Sequence, residues 1–205
     1  MKCNMNDDAA RKELQRICSK LYERGLTVSA GGNMSIRVAD GILITPSGRN
    51  KGMLSASDIV KVSMSGDPVG NGRPSIETGM HLALYRKNSD VNAVVHCHPL
   101  YCTALAVKGE KVKSALTPEG ILLLGDVPMV RYITPGSKEL AEAVSECSGS
   151  MAILLERHGA VTQGRTLEEA YNRMEELEFQ AHLQIITDGA ECLPLAEIKK
   201  IEGMR

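Results

Sequence analysis

Residues 93–98 read Ala93-Val94-Val95-His96-Cys97-His98. A short run of small and β-branched apolar residues reads as a buried strand, whose period of two puts His96 and His98 on one face and Cys97 on the other. Two imidazoles therefore converge beside one strand. Outward from it, similar runs predict strands at residues 34–38, 42–45, 59–64, 127–132, 151–155 and 160–163. The connection Val38-Ala39-Asp40-Gly41-Ile42 is too short for a parallel crossover, so part of the sheet is expected to be antiparallel.

Helical periodicity appears three times. Leu14, Ile17, Cys18 and Leu21 recur at three- and four-residue steps over residues 8–24, before Gly25. A second helix is expected over residues 76–87 with Ser75 as its N-cap. In the third, Thr166 and Glu169 form a capping-box pattern, and Leu167, Ala170, Met174, Leu177, Ala181 and Ile185 make one apolar face before Gly189. Strands with helices around them, and no linker or repeat in 205 residues, predict a single α/β domain over residues 1–205.

Lys plus Arg number 24 against 25 Asp plus Glu, and neither sign forms a long run, which speaks against nucleic-acid and membrane partners. The apolar runs are too short to span a bilayer and residues 1–11 are polar, so a cytoplasmic protein is expected. Six cysteines without a CxxC pair read as small buried hydrophobes, not as disulfides or a thiolate metal site.

A third histidine, His158, follows the apolar run ending at Leu155 and precedes Gly159, at a strand end of the kind that carries functional groups. Three histidines make a catalytic zinc set with positions left for substrate, although an HxH pair is also found as ordinary packed or surface histidines. Glu77, at the start of the second helix, is the candidate acid/base. His81 shares its helix face and is either a fourth ligand or, as is more usual, a histidine bonded within the core. Residues 30–33, 45–48 and 74–75 are small, hydroxylated or glycine-rich, the composition of backbone nests for phosphate and also of plain turns.

Six segments in order carry a wider resemblance: Gly32-Asn33-Met34-Ser35-Ile36-Arg37; Ile44-Thr45-Pro46-Ser47-Gly48; Pro74-Ser75-Ile76-Glu77 with His81 and Tyr85; Val94-Val95-His96-Cys97-His98; Pro135-Gly136-Ser137; and His158-Gly159. In these the chain resembles the class II aldolase/epimerase family over nearly its whole length. The resemblance implies a mixed, largely antiparallel sheet flanked by helices, as a homotetramer with active sites at the subunit interfaces. It implies Zn2+ on His96, His98 and His158, with Glu77 as an acid/base that also touches the metal. Phosphate would bind at Gly32, Asn33, Ser47, Gly48 and Ser75, with Ile76 replacing a second serine. The implied activity is cleavage of a ketose 1-phosphate of fuculose, deoxyribulose or methylthioribulose type to dihydroxyacetone phosphate and an aldehyde.

The chain departs from the family's aldolases around the aldehyde. Thr117 stands where they carry a tyrosine, and the terminus Ile201-Glu202-Gly203-Met204-Arg205 lacks another. Glu119 is a candidate replacement acid, or else a solvated turn residue, and Tyr132 is another phenol whose strand position is more usual for core. Family epimerases carry aspartate at the position of Glu77, while dehydratases and decarboxylases share the metal set. A non-enzymatic module like the adducin head would lack the ligands.

Overall fold

The computed structural model describes residues 6–204. Its strands are β1 (Asn33–Val38), β2 (Gly41–Ile44), β3 (Val60–Ser63), β4 (Pro68–Val69), β5 (Ala93–Cys97), β6 (Met129–Val130), β7 (Ala152–Leu155) and β8 (Gly159–Gly164). They form one eight-stranded sheet in the order β4-β3-β2-β1-β5-β8-β7-β6. Every neighbouring pair is antiparallel except β6 with β7. The helices are α1 (Asp7–Glu23), α2 (Thr78–Lys87), α3 (Leu100–Lys108), α4 (Pro118–Leu124), α5 (Lys138–Glu146), α6 (Leu167–Ile186) and α7 (Leu195–Glu202). This is the single α/β domain with a mixed, largely antiparallel sheet that the sequence predicts.

Strand alternation divides the core into two layers. Met34, Ile36, Val38, Ala93, Val95 and Cys97 turn to one face, against buried residues of α1, α3 and α6. Ile42, Ile44, Val60, Val62, Val94 and Val161 turn to the other, against α2 and α5. The pattern on α1 and α6 follows the sequence up to Ala181, with Leu14, Ile17, Cys18, Leu21, Met174 and Leu177 all buried, but Ile185 in the last turn of α6 is exposed. Thr166 caps α6 by accepting a hydrogen bond from the Glu169 N–H. The Glu169 side chain reaches back to the Arg165 N–H at 2.7 Å, one residue earlier than a standard capping box.

Three local readings are corrected. Helix α2 begins at Thr78, so Glu77 is its N-cap and Ser75 is not. The reason is a turn over residues 75–78, in which Thr78 donates to the Ser75 carbonyl through both N–H, at 3.1 Å, and hydroxyl, at 2.6 Å. The strand expected over residues 127–132 contracts to Met129–Val130, and Tyr132 is 55% exposed outside it. Cys18, Cys97 and Cys102 are buried as predicted, but Cys147 is half-buried and Cys192 exposed. Cys3 lies outside the described residues. Among those residues, no helix is long and apolar enough to cross a membrane.

Leu14 on α1 is fully buried. Leu14→Ala should cost about 2–5 kcal/mol by leaving a cavity. Lys200→Ala, which removes an exposed pair to Glu197 on α7, should leave the denaturant midpoint unchanged. Chemical denaturation of the two variants checks the contrast.

Candidate metal centre

Strand β5 runs between β1 and β8, with His96 opposite Asn33 on one side and Val161 on the other. The His96 ring is fully buried, and its Nδ1 donates to the Ala160 carbonyl at 2.9 Å. In the neutral ring that bond leaves Nε2 bare. His98, just past the strand, brings its Nε2 to 3.1 Å from that atom. His158 arrives from the three-residue connection between β7 and β8, where Arg157 takes φ 55° and the His158 N–H bonds the Leu155 carbonyl. One nitrogen from each of His96, His98 and His158 lies within 4.8 Å of the others.

Two glycines permit this convergence. Gly32 has φ +69°, and a Cβ there would lie 2.5 Å from the His96 carbonyl oxygen. At Gly159 a Cβ would meet the Cys97 carbonyl oxygen at 2.4 Å and the His98 ring at 2.6 Å.

Glu77 stands over the cluster, its Oε2 3.3 Å from His96 Nε2 and its Oε1 3.6 Å from His158 Nε2. Asn33 Nδ2 donates to Oε2 at 2.8 Å. Burial pushes the Glu77 carboxyl up, but His96, the Asn33 amide and His158 outweigh it and hold the group below the usual carboxylate range. Burial also lowers the histidines, with help from His96: His98 falls to about 3 and His158 to about 4. An ionised carboxylate thus sits beside His98 and His158 rings that stay neutral at physiological pH. His81 is not in the cluster. It is fully buried, with Nδ1 2.6 Å from Ser35 Oγ and Nε2 2.5 Å from Asn33 Oδ1, and burial pushes it down to about 3.

The loops assigned to phosphate are brought together by one bridge between Pro46 and Pro74. Ser47 donates its N–H to the Arg73 carbonyl at 3.1 Å, and Ser75 donates to the Thr45 carbonyl at 3.2 Å. Ser47 is half-buried, Gly48 is exposed with φ +68°, and the Ser75 hydroxyl accepts from the Glu77 N–H at 3.3 Å. Lys51 was not singled out from sequence. It is 1% exposed and its Nζ ties the Ala30 carbonyl, at 2.8 Å, to the Arg49 carbonyl, at 2.9 Å, joining the two glycine-bearing loops. Its position three residues after Gly48, where a lysine is seldom buried, was the available signal.

Other candidates lie apart. Glu119 is exposed in the first turn of α4, and its recorded charge neighbour is Glu176 on α6, not a member of the histidine cluster. Thr117 is the N-cap of α4, its hydroxyl accepting from Gln180 Nε2 at 2.7 Å and from the Gly120 N–H at 3.5 Å. A cleft of about 540 Å³ is lined by Asp8, Arg11, Lys12, Asp58 and Lys61 and shares no residue with the cluster. Donor geometry, not cavity size, locates the chemistry.

The residues fit a metal ion. Tetrahedral zinc with bonds of about 2.0–2.1 Å sets its nitrogens about 3.3 Å apart, close to the His96–His98 separation. Three converging imidazoles, with a His158 Nδ1 that has no hydrogen-bond partner and a carboxylate alongside, suit a cation.

The family described as Class II Aldolase and Adducin N-terminal domain matches residues 12–185. The chain belongs to this family. An L-fuculose phosphate aldolase of Methanococcus maripaludis is 42% identical over 177 residues, covering 86% of this chain and 97% of that protein. A 3-oxo-tetronate 4-phosphate decarboxylase of Escherichia coli K12 is 38% identical over 186 residues, covering 88% of each. The crystal structure of Escherichia coli YgbL superposes with a TM-score of 0.90 at 35% identity, covering 96% of this chain and 99% of that one. Family membership together with the convergent histidines makes this class II aldolase-family chain a metal-dependent lyase. The non-enzymatic, adducin-head-like alternative is thereby set aside.

His96→Ala or His98→Ala should lower bound metal from about one ion per chain to near zero, with activity falling in parallel. Elemental analysis of the purified variants checks this, and unchanged metal content would remove the ligand assignment. A pH effect follows from His81. Its folded pKa of about 3 lies below the 6.5 of a free imidazole, so the unfolded chain gains a proton that the folded one refuses. Stability of the metal-free protein should be flat above pH 6.5 and fall as pH drops toward 3, by about 1.4 kcal/mol per pH unit for each such histidine. Denaturation midpoints across that range test the sign.

Proposed function

We propose that this chain is a zinc-dependent aldolase that cleaves a ketose 1-phosphate to dihydroxyacetone phosphate and an aldehyde. The single observation that carries the reading is the buried Glu77 carboxylate within 3.6 Å of both His96 and His158 nitrogens. His96, His98 and His158 would hold the ion, with Glu77 beside it. When bound, the ion supplies Lewis-acid stabilisation of the negative charge that develops on the ketose oxygens.

The chain's own residues do the rest. Gly32, Asn33, Ser47, Gly48 and Ser75 hold the phosphate, with the Ile76 backbone N–H in place of a serine hydroxyl, so that C3 is fixed relative to Glu77. As the C3–C4 bond breaks, its electron pair stays on C3 and spreads into the C2 carbonyl, C4 becomes the aldehyde, and C3 takes a proton from Glu77, which enters cleavage as the acid after taking up one proton from solvent and leaves it as the carboxylate. The C4 hydroxyl loses its proton to a second acid/base, for which Glu119 of a neighbouring subunit is the candidate. A homotetramer with interfacial sites suits that role, and exposed apolar side chains at Val28 and Leu100 beside His98 support such an interface.

A second reading has its own support, because the decarboxylase relative aligns over most of the chain and the Thr117 hydroxyl is committed to capping α4. Loss of carbon dioxide from a 3-oxo-tetronate 4-phosphate leaves the C2 electron pair in the C3 carbonyl, and protonation at C2 gives dihydroxyacetone phosphate. Both reactions therefore pass through the same enediolate and need the same Glu77. They differ only in what leaves, and a departing carbon dioxide needs no acid/base on its oxygen.

Glu77→Gln should keep the fold and most of the metal while slowing proton exchange on dihydroxyacetone phosphate by about 10²–10⁴-fold, since the amide fills the space and accepts no proton. Deuterium incorporation followed by NMR measures it, and exchange at the wild-type rate would place the base elsewhere. For the leaving half, a panel of ketose 1-phosphates should be cleaved with a preference for deoxy or methylthio chains and only modest use of fuculose 1-phosphate. Glu119→Gln should slow that cleavage while sparing the exchange. Release of carbon dioxide from a 3-oxo acid phosphate without aldehyde production would select the decarboxylase instead.

A further inference from the structure

Strand β1 and helix α2 face each other with matched periods. Asn33, Ser35 and Arg37 alternate with Met34, Ile36 and Val38, which belong to the apolar layer on the opposite face. Glu77, His81 and Tyr85 stand one helical turn apart. Two strand residues advance about 6.6–6.8 Å and four helix residues about 6.0 Å, so the two rows stay in step for three rungs.

The hydrogen bonds between the rows have one consistent direction. Asn33 Nδ2 donates to Glu77 Oε2 at 2.8 Å, which points the Asn33 carbonyl oxygen at His81. That oxygen only accepts, so His81 Nε2, 2.5 Å away, must carry the hydrogen. Burial keeps His81 neutral, so its Nδ1 is bare and accepts from the Ser35 hydroxyl at 2.6 Å. The Ser35 oxygen then accepts from the Tyr85 hydroxyl at 2.7 Å. Arg37 closes the row, its Nη2 donating to the Tyr85 carbonyl at 2.5 Å and its guanidinium 4.9 Å from the Tyr85 ring centre. Asn33, Ser35, His81 and Tyr85 are all less than 5% exposed.

We propose that Asn33, Ser35, His81 and Tyr85 are positioning residues that form a one-way donor chain ending on Glu77 Oε2, which leaves Oε1 as the oxygen that exchanges the proton with substrate. The inference rests on the reading of Glu77 as the acid/base. Oε1 is the oxygen without a hydrogen-bond partner, as the assignment requires. The Asn33 side chain, with its carbonyl and one N–H engaged, orients the carboxylate. A free-standing carboxylate would rotate about its last bond and present either oxygen. The chain removes that freedom without placing a second charge beside the metal ligands.

The test uses the metal-loaded enzyme and deuterium exchange into dihydroxyacetone phosphate, with inorganic phosphate binding and metal content measured alongside. His81→Phe should lower the exchange rate constant by about tenfold or more, with KM, phosphate binding and metal content unchanged. His81→Gln, whose amide can donate to Asn33, should recover part of the loss. Tyr85→Phe, which removes one hydroxyl and spares the packing, should cost about three- to tenfold. The double variant His81→Phe with Tyr85→Phe should be no worse than His81→Phe alone, because the chain is already cut. A rise in KM with an unchanged rate constant, or multiplicative losses in the double variant, would overturn the chain. Glu77→Gln in the same assay separates the two claims. Full exchange there refutes the acid/base reading and the chain's purpose with it, whereas a dead Glu77→Gln beside fully active His81→Phe and Tyr85→Phe refutes the chain alone.

Discussion

The register of β5 between β1 and β8 is the constraint on which the site hangs. It sets Asn33 opposite His96 and brings the β7–β8 connection, with His158, to the same end of the sheet. A slip of one residue would turn His96 to the opposite face and bury it among the α1 and α6 side chains, far from Glu77. The slip is prevented by apolar matching, since Val94 and Val161 belong to one buried layer and Ala93, Val95 and Cys97 to the other. Core packing and chemistry are thus one specification: the same alternation that fills two hydrophobic layers aims the imidazole.

Burial acts oppositely on the two kinds of titratable group at this register. It lowers His98 and His158 and disfavours an ionised Glu77, yet His96, the Asn33 amide and His158 together hold the carboxylate charged. The result is a buried negative charge within 3.6 Å of imidazole nitrogens from two different strand ends. Such a set is costly without a cation and favourable with one, so metal binding and folding are coupled. Lys51 adds a positive charge behind the glycine loops rather than among the ligands, where it would compete with the ion.

The histidine cluster and the outer helices are built differently. The histidine cluster, Glu77 and the glycine- and serine-bearing loops bridged at Pro46 and Pro74 are drawn from β1, β5, α2, the β7–β8 connection and adjoining connections, all rooted in the sheet. Thr117 and Glu119 belong instead to α4, which packs on α6 and in turn carries α7. Thr117 serves as a helix cap and Glu119 is exposed, so this outer region can vary without disturbing the metal ligands. Aldolase and decarboxylase relatives of similar identity are what that division permits.

From the sequence alone, near-neighbour physics was legible: the paired face of His96 and His98, the apolar stripes of α1 and α6, the Thr166 cap, and the antiparallel turn at residues 38–42. Each depends on spacing within a few residues. Helix α3 escaped because it is apolar on most sides and shows no stripe, while α5 carried a cap at Ser137 and buried Leu140, Ala141 and Val144 that were there to be read. The start of α2 was misplaced because a hydroxyl-assisted turn at Ser75 and Thr78 competes with the first helical bonds. Only the tertiary structure decided that His81 belongs to a buried chain and not to the metal, that the Asn33 amide is turned toward Glu77, and that Lys51 joins two loops. Those outcomes depend on which strand lies beside which, and a contact between residues 44 to 48 positions apart leaves no periodic trace in the chain.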